Sequence, residues 1–170
     1  MIEIGISYVE YLNKLKKEEL IKIITDYNKM CEIFDETKIE DTKSKKDVLV
    51  EKINEIKNKY LKYLIMSLDL KDYESLKNIL KRNDTKTLNE HKELINYFID
   101  KHIIFQKDNL EVPNDLEFKG CFKNKDILKY VKKWSRIYDL VNGMIIAYGV
   151  ISKDYFSFVT SGIENKEEIL

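Results

Sequence analysis

Tyr60-Leu61-Lys62-Tyr63-Leu64-Ile65-Met66-Ser67-Leu68 opens the stretch that decides the fold, because it is the first of three amphipathic helical patterns leading into a β-hairpin that ends at Pro113. Tyr60, Leu61, Leu64, Ile65 and Leu68 recur at three- and four-residue spacing, which lays one apolar face along a helix. Asp69 follows as an N-cap whose side-chain oxygen can accept from the free amides of a second helix, with Tyr73, Leu76 and Leu80 on its face and Ile79 widening it. The polar run Arg82-Asn83-Asp84 interrupts that pattern. Thr87 and Glu90 then stand at capping-box spacing and start a third helix through Leu94, Ile95, Phe98 and His102. Such short helices are marginal alone in water, so the three must pack together.

The hairpin is written in residue types. Ile103-Ile104-Phe105-Gln106 is β-branched and aromatic, Lys107-Asp108-Asn109 is turn chemistry, and Leu110-Glu111-Val112 alternates before Pro113 ends the strand. A two-stranded hairpin is marginal in water, so Ile104, Leu110 or Val112 is expected to lie on the third helix. Helix, helix, helix, hairpin is the order of a winged helix. The expected fold is therefore mainly α, multi-helix with one small β-hairpin and a winged-helix-like centre.

Outward from that centre the chain stays helical. Residues 1–7 alternate through Ile2, Ile4 and Ile6, as a short edge strand or an extended arm would. From Tyr8 a helical pattern takes over with Leu12, Leu15, Leu20, Ile23, Ile24 and Tyr27 on one side, and it fits one helix or two broken near Asn13. Residues 30–42 are mixed and acidic and read as a loop with room for a short helix. Ser44 and Asp47 form another capping pair, opening a helix on Val48, Leu49, Ile53 and Ile56 with no breaker before Tyr60.

Beyond Pro113, Phe118, Cys121 and Phe122 read as a loop pinned to the core. Asn124 or Asp126 then starts the longest helix. Its Ile127, Val131, Trp134, Tyr138, Val141, Ile145 and Tyr148 alternate spacings of four and three, a seam of the coiled-coil kind. Such a helix spans roughly 30 Å, and Trp134 is expected to be buried by the seam. Gly149 is placed to end it, Ser152 to cap another, and Tyr155, Phe156 and Val159 to pack that last helix back, with residues 164–170 as a tail. The expected division is 1–56, 57–118 and 119–170.

Leu15-Lys16-Lys17-Glu18-Glu19-Leu20-Ile21, followed by Ser44-Lys45-Lys46-Asp47-Val48-Leu49-Val50-Glu51-Lys52-Ile53, resembles the two-helix pattern of SAP and Rho-N-terminal modules. That resemblance implies nucleic-acid binding through backbone contacts, with Lys45 and Lys46 on the basic turn. Leu64-Ile65-Met66-Ser67-Leu68, Phe98, Ile103-Ile104-Phe105, Val112-Pro113 and Tyr148-Gly149-Val150-Ile151-Ser152 are similar to uncharacterised proteins of low-GC Gram-positive bacteria. In those a Rho-N-like start precedes a helical, winged-helix-like body. The resemblance implies a cytoplasmic location and no established activity.

Composition bounds the function classes. With 170 residues and 44% hydrophobic content the chain has ample material for a core, and a single Pro and five Gly agree with a helical fold. Thirty basic and thirty acidic side chains cancel, which excludes a surface that attracts polyanions everywhere and leaves a local patch open. Cys31 and Cys121 are too few and too far apart for a disulfide framework, and the N-terminus lacks the basic start of a secretory signal, so a cytoplasmic protein with reduced thiols is expected. The longest uncharged run, residues 140–152, falls short of the roughly 20 apolar residues a membrane crossing needs. No membrane partner is predicted.

Catalytic signatures are missing. The two His and two Cys have no chelating spacing, and His91 and His102 are expected on the third helix as polar residues, not as metal ligands. There is no Gly-rich phosphate loop, nucleophile elbow or His-Glu-x-x-His. No enzyme, cofactor or metal is predicted. The leading signal is basic: Lys119, Lys123, Lys125, Lys129, Lys132, Lys133 and Arg136 are opposed only by Asp126 between residues 119 and 136. Lys45, Lys46, Lys125, Lys129, Lys132, Lys133 and Arg136 are therefore the candidate contacts to DNA or RNA phosphates. The polar side of the third helix is net acidic, through Glu90, Glu93 and Asp100 against Lys92 and Lys101, unlike a recognition helix entering a groove. The expected function is a regulatory nucleic-acid-associated module; the alternative is a protein-interaction or scaffold module.

Overall fold

Ser7 begins the helical part of the chain by a reciprocal cap: its hydroxyl accepts from the Glu10 amide while the Glu10 carboxylate accepts from the Ser7 amide, opening α1 (Tyr8–Leu12). The computed structural model describes residues 2–40, 42–82, 84–149, 152 and 154–157. After a break at residues 13–16 the chain enters α2 (Lys17–Ile33), so the helical pattern from Tyr8 is two helices. An extended segment then leads to α3 (Lys46–Met66). Lys45, one residue past Ser44, occupies the N-cap of α3, and its own side chain makes no capping hydrogen bond.

α2 and α3 run side by side in the same direction. Lys17 at the start of α2 donates to the Lys43 carbonyl beside the start of α3, and Phe34 just past α2 stacks on Tyr63 near the end of α3 at 4.5 Å. The segment between them must therefore travel back along both helices. It is held on the way by Lys59 on Glu36 (2.7 Å) and by the Ile39 amide and carbonyl on the Asn28 side chain (2.8 and 2.9 Å). A return of about 25 Å needs about eight extended residues or more, which accounts for the long connection.

α3 is the central helix. Tyr60, Leu61, Tyr63, Leu64 and Ile65 are all buried, far more than one stripe, so its second half is surrounded. It crosses the expected division at residue 56 without a break, and the core is one cluster from Ile2 to Val131. Around it stand α4 (Leu70–Arg82), α5 (Thr85–Glu90), α6 (Lys92–Asp100), α7 (Phe118–Lys123) and α8 (Lys125–Tyr148). Asp69 caps α4 as its residue type demands, accepting from the Asp72 amide at 2.7 Å. Residues 118–123, expected as a loop, close into α7 over Tyr73, against which Phe122 packs edge-on at 5.4 Å.

The third helix differs from expectation. Asp84, not Thr87, caps it, and Thr87 instead donates its amide and hydroxyl to the Asp84 carboxylate. At His91 (φ −120°, ψ 33°) it breaks into α5 and α6, and α6 ends at Asp100, leaving His102 beyond it at φ 56°. His91 thus sits at a junction and His102 in a turn, where the Ile103 and Ile104 amides both donate to the Phe98 carbonyl.

The hairpin is present as β2 (Phe105–Gln106) and β3 (Leu110–Val112), antiparallel, but β3 has a second neighbour. β1 (Ile2–Ile4) pairs with it in parallel, Ile2 opposite Leu110 and Ile4 opposite Val112, giving the order β1-β3-β2. The N-terminal arm therefore covers the edge a free wing would expose. Phe105 stacks on Tyr11 of α1 at 3.9 Å, so the hairpin is held partly by the N-terminus. The winged-helix order is met only in part, since its first helix is half of α3, its third is broken and its wing is a three-stranded sheet. The fold is mainly helical with a small sheet, and no helix among the described residues is long and apolar enough to cross a membrane. Val159 and the tail at 164–170 lie outside the described residues.

Candidate interaction surface

α8 lies across the body, with Ile137 and Met144 of its outer half also buried. Asn124 caps it, accepting from the Asp126 and Ile127 amides, and Gly149 at φ 76° ends it with its amide on the Ile145 carbonyl at 2.8 Å. With 24 residues it is about 36 Å long, longer than the 13-residue α4 it packs against. Ser135 locks the crossing by accepting from the Leu70 amide, the first of α4, at 2.6 Å. Ser152 caps the turn at 154–157, as its residue type implies, accepting from the Tyr155 amide at 3.2 Å.

The seam along α8 is satisfied over its first half only. Ile127 and Val131 are 2% and 0% exposed, while Trp134, Tyr138 and Ile145 are 45%, 62% and 47% exposed. Trp134 is therefore not the buried anchor its place in the repeat implies. The neighbours that would cover it end short. Ile33 and Phe34 are the last residues of the α2 region, and α3 stops at Met66 just as α8 passes.

Where the seam emerges, a groove of about 580 Å³ opens between α8 and the ends of α2, α3, α4 and α6. Buried Leu68 and Leu94 lie in it, and aromatic groups surround them: Phe34, Tyr97, Tyr130, Trp134 and Tyr138. Phe34 and Tyr130 meet at 5.6 Å, and Tyr130 and Trp134 at 6.0 Å, so the rings form one continuous side. Burial raises the Tyr130 hydroxyl pKa and keeps it neutral.

Three carboxylates complete the lining: Asp69, Asp72 and Glu93. None has a salt-bridge partner among the described residues. Burial, and then the neighbouring Asp69 charge, hold the Asp72 carboxyl above the ordinary carboxylate range, with Glu93 adding to it and Lys71 and His91 offsetting only part. The groove is thus apolar within and negative at its lining.

The basic residues lie elsewhere. Lys125, Lys129, Lys132 and Arg136 are exposed and recur at spacings of four, three and four, a stripe on a side of α8 away from Ile127 and Val131, with half-buried Lys133 beside it. Lys119 and Lys123 are exposed on α7. Lys46 donates to the Asn13 carbonyl at 2.7 Å and Lys45 is exposed beside it. Seventeen residues of α3, about 25 Å, separate Lys46 from Tyr63, the level at which α8 crosses, so the two basic clusters are not brought together.

Among the described residues no group of His, Cys, Asp and Glu gathers to hold a metal ion; Cys31 and Cys121 are separately buried, and burial raises the Cys121 thiol to about 11. Comparison of the chain with protein-family models, curated proteins and solved structures finds no match.

The groove is the feature that residue-by-residue reading misses, because it is made by absence: aromatic residues in a sound helical repeat outrun the helices that cover the repeat's first half. The signal available in advance was length. A seam of seven positions needs a neighbour of similar length, and the patterns before it are mostly shorter.

Proposed function

We propose that this chain is a non-enzymatic cytoplasmic interaction module that receives a segment of a partner protein in the groove beside α8. The observation that carries the reading is the half-satisfied seam: Ile127 and Val131 are covered, while Trp134, Tyr138 and Ile145, in the same repeat, face water. Large exposed aromatic groups next to a preformed groove are the pattern of a protein-binding face, with Trp and Tyr as its anchors. Trp134, the single tryptophan, reports on the site directly. Titration with a panel of amphipathic helical peptides is expected to shift its emission to the blue as the indole loses water. No response to any peptide, with the fold intact by circular dichroism, removes the reading.

A second reading has its own observation. The exposed stripe of Lys125, Lys129, Lys132 and Arg136 extends about 16 Å and is suited to following a phosphate backbone of DNA or RNA. The separation of Lys45 and Lys46 from that stripe, and the acidic groove, weigh against one continuous basic face. Anisotropy with a labelled duplex and a labelled single strand at low salt is the test, and absence of binding to both at micromolar protein refutes it.

A further inference from the structure

An unpartnered seam at helical spacing calls for a helix. Trp134, Tyr138 and Ile145 stay exposed along about 16 Å of the repeat, past half-buried Val141, a length greater than a small ligand would use. Only an amphipathic helix presents apolar groups at the same pitch along that length. The chemistry of its flanks follows from the charges around the groove. Asp69, Asp72 and Glu93 line the end where Trp134 and Tyr138 stand, without a salt-bridge partner among the described residues. A cation placed there meets carboxylates and ring faces together, and both attract it.

A second copy of this chain is the obvious competitor, and its charges are wrong. Laid antiparallel, a second α8 brings residues 141–148 over the groove, and these carry no Lys or Arg. Laid parallel, it carries its Lys125, Lys129, Lys132 and Arg136 stripe on the side facing away from the groove. Neither register supplies the cation.

We propose that the groove's occupant is a basic amphipathic helix of a partner protein, its apolar face on Trp134 and Tyr138 in the groove and on exposed Ile145 beyond it, and a Lys or Arg set against Asp69, Asp72 and Glu93. This rests on the groove reading above and adds the charge and secondary structure of the partner. Asp72 supports it, since burial and like-charge neighbours disfavour its ionised form until a cation arrives.

The test uses the whole chain and two designed peptides of about 18 residues sharing one Leu-rich face, one with Lys and Arg on the polar side and one with Glu. Trp134 emission is followed to about 100 μM peptide at low salt. The basic peptide is expected to bind at least about fivefold tighter than the acidic one, and Asp72→Asn with Glu93→Gln to remove most of that preference while leaving the acidic peptide unaffected or improved. Tyr138→Ala is expected to weaken both peptides. Equal binding of the two peptides, or a preference that survives the double substitution, overturns the inference and leaves the groove reading standing. No response to either overturns both. A concentration-dependent dimer that buries Trp134 and is lost in Tyr138→Ala makes the occupant a second copy, and also overturns it.

Discussion

Ile127→Ala and Tyr138→Ala lie on one seam of α8 and are expected to behave differently. Ile127 is 2% exposed. Its replacement removes about three buried methylene equivalents at about 0.8 kcal/mol each and leaves a cavity, so a loss of about 3 kcal/mol is expected. Tyr138 is 62% exposed in the folded chain. Unfolded chains themselves hide roughly a tenth to two-fifths of such surface, so folding covers little more of Tyr138 than is already hidden in the unfolded chain. Alanine is also the better helix former by about half a kcal/mol, which offsets part of what remains. Tyr138→Ala is therefore expected to cost under about 1 kcal/mol.

Urea unfolding followed by circular dichroism measures both, with an unchanged m-value required for the comparison. A loss near 3 kcal/mol for Tyr138→Ala would mean that the outer half of α8 is packed, and the groove as described would not exist. Equal small losses for both would refute the burial of the inner seam instead.

Tyr60 is fully buried and its hydroxyl has no partner among the described residues, so Tyr60→Phe is expected to stabilise by about 1 kcal/mol in the same assay; destabilisation would show that the hydroxyl is satisfied, as by a buried water. Burial, outweighing the nearby Glu19, holds the His102 imidazole below its ordinary 6.5, so the unfolded chain binds its proton more readily and stability falls as pH drops through that value. His102→Asn, which tolerates φ 56°, should flatten that part of the pH–stability curve, and an unchanged slope would exclude His102 as its source. Gln at Lys129, Lys132, Lys133 and Arg136 should lower the log–log salt slope of any duplex binding by about one per lost phosphate contact, and an unchanged slope would exclude the α8 stripe.

Local chemistry was a good guide wherever one residue type decides one geometry. Asp69 and Asn124 cap the helices they precede, Gly149 ends α8 in the left-handed region, and β2 and β3 form about Lys107-Asp108-Asn109. It was a poorer guide where two solutions compete within a turn of one another. Asp84 takes the cap that Thr87 offered, since its carboxylate can accept both the amide and the hydroxyl of Thr87. The parallel pairing of β1 with β3 joins residues more than a hundred positions apart, and nothing in the Ile2, Ile4 alternation names its partner. The six residues of α7 are too few to display a period, so their sequence looks like a loop.

The site was legible in its residues and not in its meaning. The repeat through Ile127, Val131, Trp134, Tyr138 and Ile145 is correct as a helix face, and the error lay in passing from one face to one environment. Periodicity reports which residues point the same way; coverage depends on how far the neighbours reach, and α2 and α3 both end where α8 still has more than two turns to run. Phe34, Asp69 with Asp72, and Glu93 with Tyr97 join the groove from three separate segments, so no local pattern could have gathered them. The charge pattern misled in the same way. The run from Lys119 to Arg136 is real, but in three dimensions its stripe faces away from the buried side of α8, while carboxylates gather about the emerging seam. A helix with lysines on one side and unsatisfied aromatics beside acids on another has two separable surfaces. Charge substitutions on the stripe and Tyr138→Ala at the groove should therefore fail independently, each leaving the other surface's binding intact.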